Sequence, residues 1–231
     1  MPDFKFFSGS SNLPLAKKIA AKLKKPLGKL EITRFADSEV RVRIEEEVNN
    51  QICFVIASLS NPVDMHLVEF CLIIDALKQN EAGKIIAVLP YFGYARQDKV
   101  HRAGEGISAR VMAKLVEAVG VNKLITVDLH SEAVASFFNI PAVHLFGLEV
   151  FLEEIKKLKD KNLVIAAPDA GGAKRAQRFA ENLDAELVLI QKKRDLQKIH
   201  TVKVLGLVGS VKGKTVCLVD DVITGGGTII E

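Results

Sequence analysis

The feature that most constrains the fold is a repeated alternation of short, almost wholly apolar runs with longer amphipathic stretches. The apolar runs are 52–57, 84–89, 123–129, 163–167, 186–190 and 215–219. Continuous hydrophobicity predicts strands covered on both faces, as in a parallel sheet. Stretches with helical spacing occupy 13–23, 63–77, 107–119, 148–158 and 173–183, and Ser10-Ser11-Asn12 lies where a helix N-cap is expected. Strand followed by helix, repeated, predicts an α/β fold with mostly parallel sheets flanked by helices.

A short sequence pattern that occurs twice predicts two domains. Segments 90–96 and 168–174 share the pattern P-x-x-G-x-A-[RK], and each directly follows an apolar run. Two α/β halves of similar build are the simplest interpretation for a chain of 231 residues. We place the boundary between an N-terminal domain, 1–146, and a C-terminal domain, 147–231.

Composition excludes several classes of protein. The chain is 48% hydrophobic, yet no run approaches the roughly 18 apolar residues of a membrane span, and the N-terminus does not resemble a signal peptide. We therefore expect a cytoplasmic protein without membrane contact. The net charge of +4 suits polyanionic small substrates and does not favour nucleic-acid binding, which needs a concentrated basic stripe. The three cysteines show no CxxC spacing, so buried reduced thiols are expected.

Carboxylates and a histidine follow several apolar runs, where α/β proteins bind ligands. Asp128 and His130 come at the end of one run, and period-two alternation predicts that they lie on the same side of the strand. Asp169 follows another run, and together the three suggest a divalent-cation site. For His130 alone, a structurally satisfied histidine is the competing interpretation.

The last apolar run delivers Asp220 and Asp221 into the glycine-rich segment 222–228. Carboxylates accept hydrogen bonds from sugar hydroxyls, and glycines let backbone N–H groups approach phosphate oxygens closely. This segment predicts a sugar-phosphate site.

Three further segments carry residues suited to nucleotides. The segment 90–99 combines aromatic residues with Arg96, and the segment 35–39 contains an aromatic residue and two carboxylates. The basic run 192–194 follows the strand predicted to end at Ile190 and would begin a mobile loop able to neutralise charge developing during phosphate transfer. For each, an ordinary solvated surface is the alternative.

Taken in order, these segments resemble one family, the ribose-phosphate diphosphokinases or phosphoribosyl pyrophosphate synthetases. The resemblance rests on seven motifs: Phe7-Ser8-Gly9, the segment from Arg34 to Glu39, the segment from Pro90 to Asp98, Asp128-Leu129-His130-Ser131, the segment from Pro168 to Arg175, Lys192-Lys193-Arg194 and Val219-Asp220-Asp221. It implies two tandem domains of the phosphoribosyltransferase type. The implied reaction transfers the β,γ-diphosphoryl group of ATP to ribose 5-phosphate, with Mg²⁺ as the cofactor and a homo-oligomer as the expected assembly.

The resemblance also implies roles by position. ATP would be contacted by Phe35, Asp37, Glu39, Arg96 and Gln97. Magnesium would be held, directly or through water, by His130 and Asp169, with Asp128 nearby. Lys192 and Arg194 would stabilise the transferring group. Ribose 5-phosphate would be held by Asp220, Asp221, Thr224, Gly225, Gly226, Gly227 and Thr228.

The chain departs from the family's usual pattern in places. Thr224 and Gly225 stand where an aspartate and a threonine are usual, and Ser38 stands where glycine is usual. Only three residues follow Thr228, so we expect a C-terminally truncated member whose second domain is incomplete and whose activity alone is weak. The alternatives are a non-catalytic homologue or fragment that binds nucleotides or joins active subunits and, ranked lower, a phosphoribosyltransferase that uses a base as acceptor.

Overall fold

The structure of the chain, a computed structural model, describes residues 4–194 and 202–223, and for 192–194 and 202–205 it describes the backbone alone. The described chain divides into two compact units, Met1–Leu145 and Phe146–Glu231. We call them unit 1 and unit 2.

Unit 1 is built on a five-stranded parallel sheet in the order β1-β4-β5-β6-β7. The strands are β1 (Phe4–Ser8), β4 (Ile52–Ile56), β5 (Lys84–Leu89), β6 (Lys123–Val127) and β7 (Ala142–Leu145). A separate antiparallel hairpin consists of β2 (Leu30–Arg34) and β3 (Val40–Ile44). The helices are α1 (Leu13–Lys22), α2 (Val63–Gln79) and α3 (Ser108–Ala118), and a short 3₁₀ helix spans Glu132–Phe137.

Unit 2 contains a four-stranded sheet in the order β10-β9-β8-β11. Its strands are β8 (Leu163–Ala167), β9 (Glu186–Arg194), β10 (Val202–Val208) and β11 (Thr215–Leu218), and its helices are α4 (Leu148–Lys156) and α5 (Ala173–Leu183). The strand β8 runs parallel to both β9 and β11, whereas β10 is antiparallel to β9. The α/β fold predicted from the sequence is therefore confirmed.

The predicted elements match the structure closely where hydrophobic periodicity is strong. All five predicted helices are present with ends within two residues of the prediction. The N-cap of α1 is Asn12, whose side chain accepts a hydrogen bond from the Leu15 N–H. The cysteines are all free, as expected, but Cys71 and Cys217 are only half-buried.

A polar contact joins the turn that follows β1 to α2 inside unit 1. Glu69 is buried on α2, with 2% of its surface exposed. Its carboxylate accepts hydrogen bonds from the Ser10 N–H at 2.6 Å and from the Ser10 hydroxyl at 2.7 Å. Because a buried carboxylate needs such donors, Glu69 fixes the turn that leads from β1 into α1.

The β2–β3 hairpin closes through a residue in the left-handed region. Ser38 has a φ of 75°, a conformation that favours glycine. Its N–H donates to the Phe35 carbonyl at 3.0 Å, which ties the backbone into this conformation. The turn is therefore strained at Ser38.

We expect Ser38→Gly to stabilise unit 1 by about 0.5–1 kcal/mol, because relief of the left-handed conformation outweighs the greater entropy of glycine in the unfolded chain. The chain has no tryptophan and two tyrosines, Tyr91 and Tyr94, both in unit 1. Tyrosine fluorescence during urea unfolding therefore reports on this unit alone.

The matched control is Ser136→Gly, which removes another exposed serine side chain from unit 1 at a position without a positive φ. This control is expected to destabilise unit 1. An unchanged or lower urea midpoint for Ser38→Gly would contradict the assignment of strain to Ser38.

Candidate active site

The first group of predicted site residues lies at the tip of the β2–β3 hairpin. Phe35, Asp37 and Glu39 are all exposed, and the Phe35 ring has 55% of its surface accessible. The Phe35 N–H donates to the Glu39 carbonyl at 2.9 Å, and the Asp37 carboxylate accepts from the Glu39 N–H at 3.1 Å. The turn thus presents an aromatic face and two carboxylates together on one surface loop.

The second group lies on the loop 90–99, which follows β5. Phe92 is buried and packs edge-on against Phe138, with ring centroids 5.5 Å apart. A Cβ on Gly93 would lie 2.6 Å from Val63 Cγ1 and 2.7 Å from the Leu59 carbonyl oxygen, so only glycine fits there. This apolar anchor holds the loop, while Arg96 remains exposed.

Three side-chain hydrogen bonds brace the same loop. The Tyr94 hydroxyl donates to Asp64 of α2, and the Ser108 hydroxyl at the start of α3 donates to Gln97. The Ser131 hydroxyl donates to Asp98 Oδ2 at 2.6 Å. The loop that carries Arg96 and Gln97 is therefore fixed from three different parts of unit 1.

The structure corrects one argument about Asp128 and His130. The strand β6 ends at Val127, two residues before the predicted end, because Asp128 has a φ of 43°. A left-handed residue breaks the alternation of side chains, so period two does not place Asp128 and His130 on one face. The Asp128 N–H donates to the Leu145 carbonyl at 3.0 Å, and His130 is exposed.

His144 is a residue next to this turn that sequence reasoning missed. Its Nε2 accepts a hydrogen bond from the Leu129 N–H at 3.0 Å. In this contact Nε2 is the acceptor nitrogen of the ring. The signal available in the sequence was only a histidine within the segment 142–145, which was not predicted to be a strand.

In unit 2, three carboxylates come from the ends of two neighbouring parallel strands. Asp169 follows β8, and Asp220 and Asp221 follow β11. The pairing of the strands continues past Leu218, because the Val219 N–H donates to the Ala166 carbonyl at 3.0 Å. The carboxyl ends of β8 and β11 therefore lie side by side.

Asp169 also shapes the turn into α5. Its Oδ1 accepts a hydrogen bond from the Gly172 N–H at 3.1 Å. Gly172 is buried, and a Cβ there would lie 3.7 Å from the Val219 carbonyl oxygen. The start of α5 thus reaches the end of β11, and the N-terminus of this helix adds partial positive charge beside the carboxylates.

The carboxylate cluster perturbs Asp220 strongly. Burial raises the pKa of Asp220 from 3.8 to about 6, and a hydrogen bond with the Asp221 side chain and the negative charges of Asp221 and Asp169 act in the same direction. The Asp221 N–H, which donates to Asp220 Oδ1 at 2.9 Å, acts in the opposite direction. Such a group holds a proton at mildly acidic pH.

Arg175 supplies opposite charge to the same cluster. Its Nη1 lies 3.5 Å from Asp221 Oδ1, and both side chains are largely buried, with 26% and 12% of their surfaces exposed. The sequence contained Arg175 within the segment 168–175, but nothing in its position along the chain indicated this contact with Asp221.

The structure also corrects the prediction for the basic run. Lys192, Lys193 and Arg194 do not begin a loop but form the end of β9, paired with Val204, Lys203 and Val202 of β10. The antiparallel partner extends β9 four residues beyond the predicted end at Ile190. The predicted mobile segment 195–200 and the predicted ribose-phosphate residues 224–228 lie outside the described residues.

The described residues also bear on metal binding and on membranes. Within 4–194 and 202–223, no group of three or more His, Cys, Asp or Glu residues is arranged to hold a metal ion by itself. Over the same part of the chain, no helix is long and apolar enough to cross a bilayer.

Comparisons with known proteins agree along almost the whole chain. Residues 4–120 match the N-terminal domain of ribose phosphate pyrophosphokinase, and residues 139–231 match the phosphoribosyl transferase domain. Ribose-phosphate pyrophosphokinase of Fusobacterium nucleatum is 42% identical over 227 residues, which are 97% of this chain and 71% of that protein. Ribose-phosphate pyrophosphokinase 1 of Streptococcus pneumoniae serotype 4 is 39% identical over 229 residues, 98% of this chain and 71% of that protein.

A solved structure gives the same result. The crystal structure of phosphoribosylpyrophosphate synthetase from Mycobacterium smegmatis superposes with a TM-score of 0.88 at 35% identity, covering 98% of this chain and 74% of that one. With identity above 30% over nearly the full chain and both family domains matched, the chain belongs to the ribose-phosphate pyrophosphokinase family.

Proposed function

We propose that this chain transfers the β,γ-diphosphoryl group of ATP to the anomeric hydroxyl of ribose 5-phosphate, which forms phosphoribosyl pyrophosphate and AMP. The observation that carries the proposal is the cluster of Asp169, Asp220 and Asp221 at the adjacent ends of β8 and β11. The names of the relatives, ribose-phosphate pyrophosphokinase, support the same reaction.

In this proposal, unit 2 binds the sugar phosphate. Asp220 and Asp221 accept hydrogen bonds from the ribose hydroxyls, and the segment 224–228 holds the 5-phosphate through backbone N–H groups. Arg175 orients Asp221, because its guanidinium lies 3.5 Å from that carboxylate. The carboxylates are the acceptors in these contacts, since the sugar hydroxyls donate.

Unit 1 binds ATP in this proposal. Phe35 stacks on the adenine, Asp37 and Glu39 accept from donors of the nucleoside, and Arg96 and Gln97 donate to phosphate oxygens. The exposure of Phe35 and Arg96 supports these roles, as does the anchoring of the loop 90–99 by Phe92. A braced loop orients its polar side chains before the nucleotide arrives.

The reaction makes a bond from the anomeric oxygen to the β-phosphorus and breaks the bond between that phosphorus and the oxygen that leaves with AMP. The proton of the anomeric hydroxyl passes to solvent. Lys192 and Arg194 neutralise the charge that builds on the transferring group. The backbone of both residues lies at the end of β9, two positions apart.

Magnesium is the cofactor we propose. Carboxylate oxygens are the ligands this ion prefers, which fits Asp169, whereas the nitrogen of His130 fits better through a bound water. Asp128 is the third residue we assign to metal binding. When bound, Mg²⁺ supplies positive charge to the phosphate oxygens. ATP and ribose 5-phosphate are the partners proposed, together with further copies of this chain in a homo-oligomer in the cytoplasm.

The direct test is production of phosphoribosyl pyrophosphate and AMP from ATP, ribose 5-phosphate and Mg²⁺. With ATP labelled in the β-phosphate, the label is expected in phosphoribosyl pyrophosphate, and no AMP should form when ribose 5-phosphate is omitted. Folded protein that binds ATP by calorimetry but forms no AMP at saturating substrates would refute the transferase proposal and favour a non-catalytic nucleotide-binding homologue.

We expect Asp221→Asn to raise the KM for ribose 5-phosphate about 10- to 100-fold, because a hydrogen bond to a charged acceptor is lost. The KM for ATP should change little. Initial rates at varied ribose 5-phosphate measure the effect.

The matched control is Asp184→Asn, an exposed aspartate at the end of α5 with a φ of 49°, a conformation that asparagine also tolerates. It should leave both KM values unchanged. Equal effects of the two substitutions would remove Asp221 from the sugar site.

The raised pKa of Asp220 predicts a pH-dependent effect on stability. The folded pKa, about 6, lies above the ordinary value of 3.8, so this group favours the folded state when protonated. That contribution is fully present below pH 3.8 and is lost as the pH rises through about 6. At neutral pH, the ionised Asp220 therefore destabilises unit 2.

We expect Asp220→Asn to stabilise the protein by on the order of 1 kcal/mol at pH 7.5 and by clearly less at pH 5, after a discount for partial exposure of the site. Thermal unfolding followed by circular dichroism in EDTA measures both values. Asp184→Asn is again the control, and a gain for Asp220→Asn that does not depend on pH would contradict the assignment.

A further inference from the structure

Gln97 is held by the start of α3 through both its backbone and its side chain. Its carbonyl oxygen accepts a hydrogen bond from the Ala109 N–H at 3.2 Å. Its Oε1 accepts a second one from the Ser108 hydroxyl. Gln97 and Ser108 are both half-buried, so water competes less with these bonds than it would on an open surface.

The backbone bond ties the loop 90–99 to the helix α3. The residue that precedes α3, Ile107, makes no side-chain capping bond. The first N–H groups of a helix need outside acceptors, and the Gln97 carbonyl serves one of them. The position of Gln97 is thus tied to the N-terminus of α3.

The side-chain bond engages one end of the Gln97 amide, the Oε1 atom. An amide side chain carries one acceptor oxygen and one NH₂ donor group, and a rotation of 180° about its last torsion exchanges them. Because Ser108 donates to Oε1, the Nε2 group is left as the end available to a ligand. Phosphate oxygens only accept hydrogen bonds. The Nε2 group can donate to them, whereas Oε1 in the same place would repel them.

Neighbouring hydroxyl groups of the loop are engaged elsewhere. The Tyr94 hydroxyl donates to Asp64, and the Ser131 hydroxyl donates to Asp98 at 2.6 Å. Among the residues that the structure describes, Ser108 is therefore the hydroxyl placed to orient Gln97.

We propose that Ser108 is a positioning residue that holds the Gln97 amide by its Oε1 and so leaves Nε2 to donate to the phosphate chain of ATP. The proposal rests on the assignment of ATP to the loop 90–99 made above. Ser108 makes no contact with the nucleotide in this role and acts through Gln97 alone.

The test is a double-mutant cycle on the intact chain, with the Kd for ATP measured by calorimetry in the presence of Mg²⁺. We expect Ser108→Ala to weaken ATP binding about 5-fold, since one orienting hydrogen bond is lost. Gln97→Ala should weaken it at least as much. The double variant should bind no more weakly than Gln97→Ala, because Ser108 has nothing left to orient.

Two further measurements separate orientation from general damage. Ser108→Thr keeps a hydroxyl and should retain most of the affinity for ATP. Adenosine, which has no phosphate, should bind Ser108→Ala and the original chain equally well. Ser136→Ala, which removes an exposed hydroxyl bonded to the Ala133 carbonyl in the same unit, should change neither affinity.

The outcomes distinguish this inference from the proposed function. If Gln97→Ala binds ATP normally, the assignment of ATP to this loop is wrong. If Gln97→Ala weakens binding but Ser108→Ala does not, only the role of Ser108 is refuted. Additive losses in the double variant, or an equal loss for adenosine, would also refute it.

Discussion

The parallel pairing of β8 with β11 is the constraint on which the chemistry of unit 2 depends. Leu218 pairs with Ala166, and the ladder continues through the Val219 N–H. A slip of one residue would move the side chains that follow to the opposite face of the sheet. In the observed register, Asp220 and Asp221 come beside Asp169 although their charges repel, and the repulsion contributes to the raised pKa of Asp220. Bringing these carboxylates together is unfavourable for folding stability, so their clustering indicates a ligand-binding site.

In unit 1 the candidate ligand-binding residues also follow the end of a strand, but they lie on a long loop that must be held in place. Its loop 90–99 carries polar side chains for a ligand, and a mobile loop would lose entropy on binding. Burial of Phe92 and the close approach at Gly93 fix the loop on the core, and bonds such as that from Ser131 to Asp98 fix the side chains. The repeated segments 90–96 and 168–174 therefore adopt different structures. The helix α5 begins at Ala173, within the second segment, whereas α3 begins only at Ser108, well after the first.

The sequence predicted those elements whose hydrophobic pattern is strong within a single window. The helices and the buried central strands have such patterns, whereas β1, β7 and β10 were not predicted, and β10 is defined by its pairing with β9. The hairpin was missed although its signal was present: in β3, Val40, Val42 and Ile44 alternate with arginines, which is the period of a half-exposed strand. The end of β9 was unpredictable from its own residues, because the partner β10 extends it.

The residues of the candidate site also fall into two groups, those that the sequence predicts and those that it does not. Strand-end carboxylates such as Asp169 and Asp220 follow from where apolar runs stop, so the sequence reveals them. The left-handed turn at Asp128 does not follow, since an aspartate after a strand can continue it or break it. Residues that orient others are the hardest to find, because each is defined by a contact between separate elements, as Arg175 is by Asp221 and Ser108 by Gln97. Sequence motifs therefore identify the side chains that would contact ligands. The side chains that orient those residues are identified only from the folded structure.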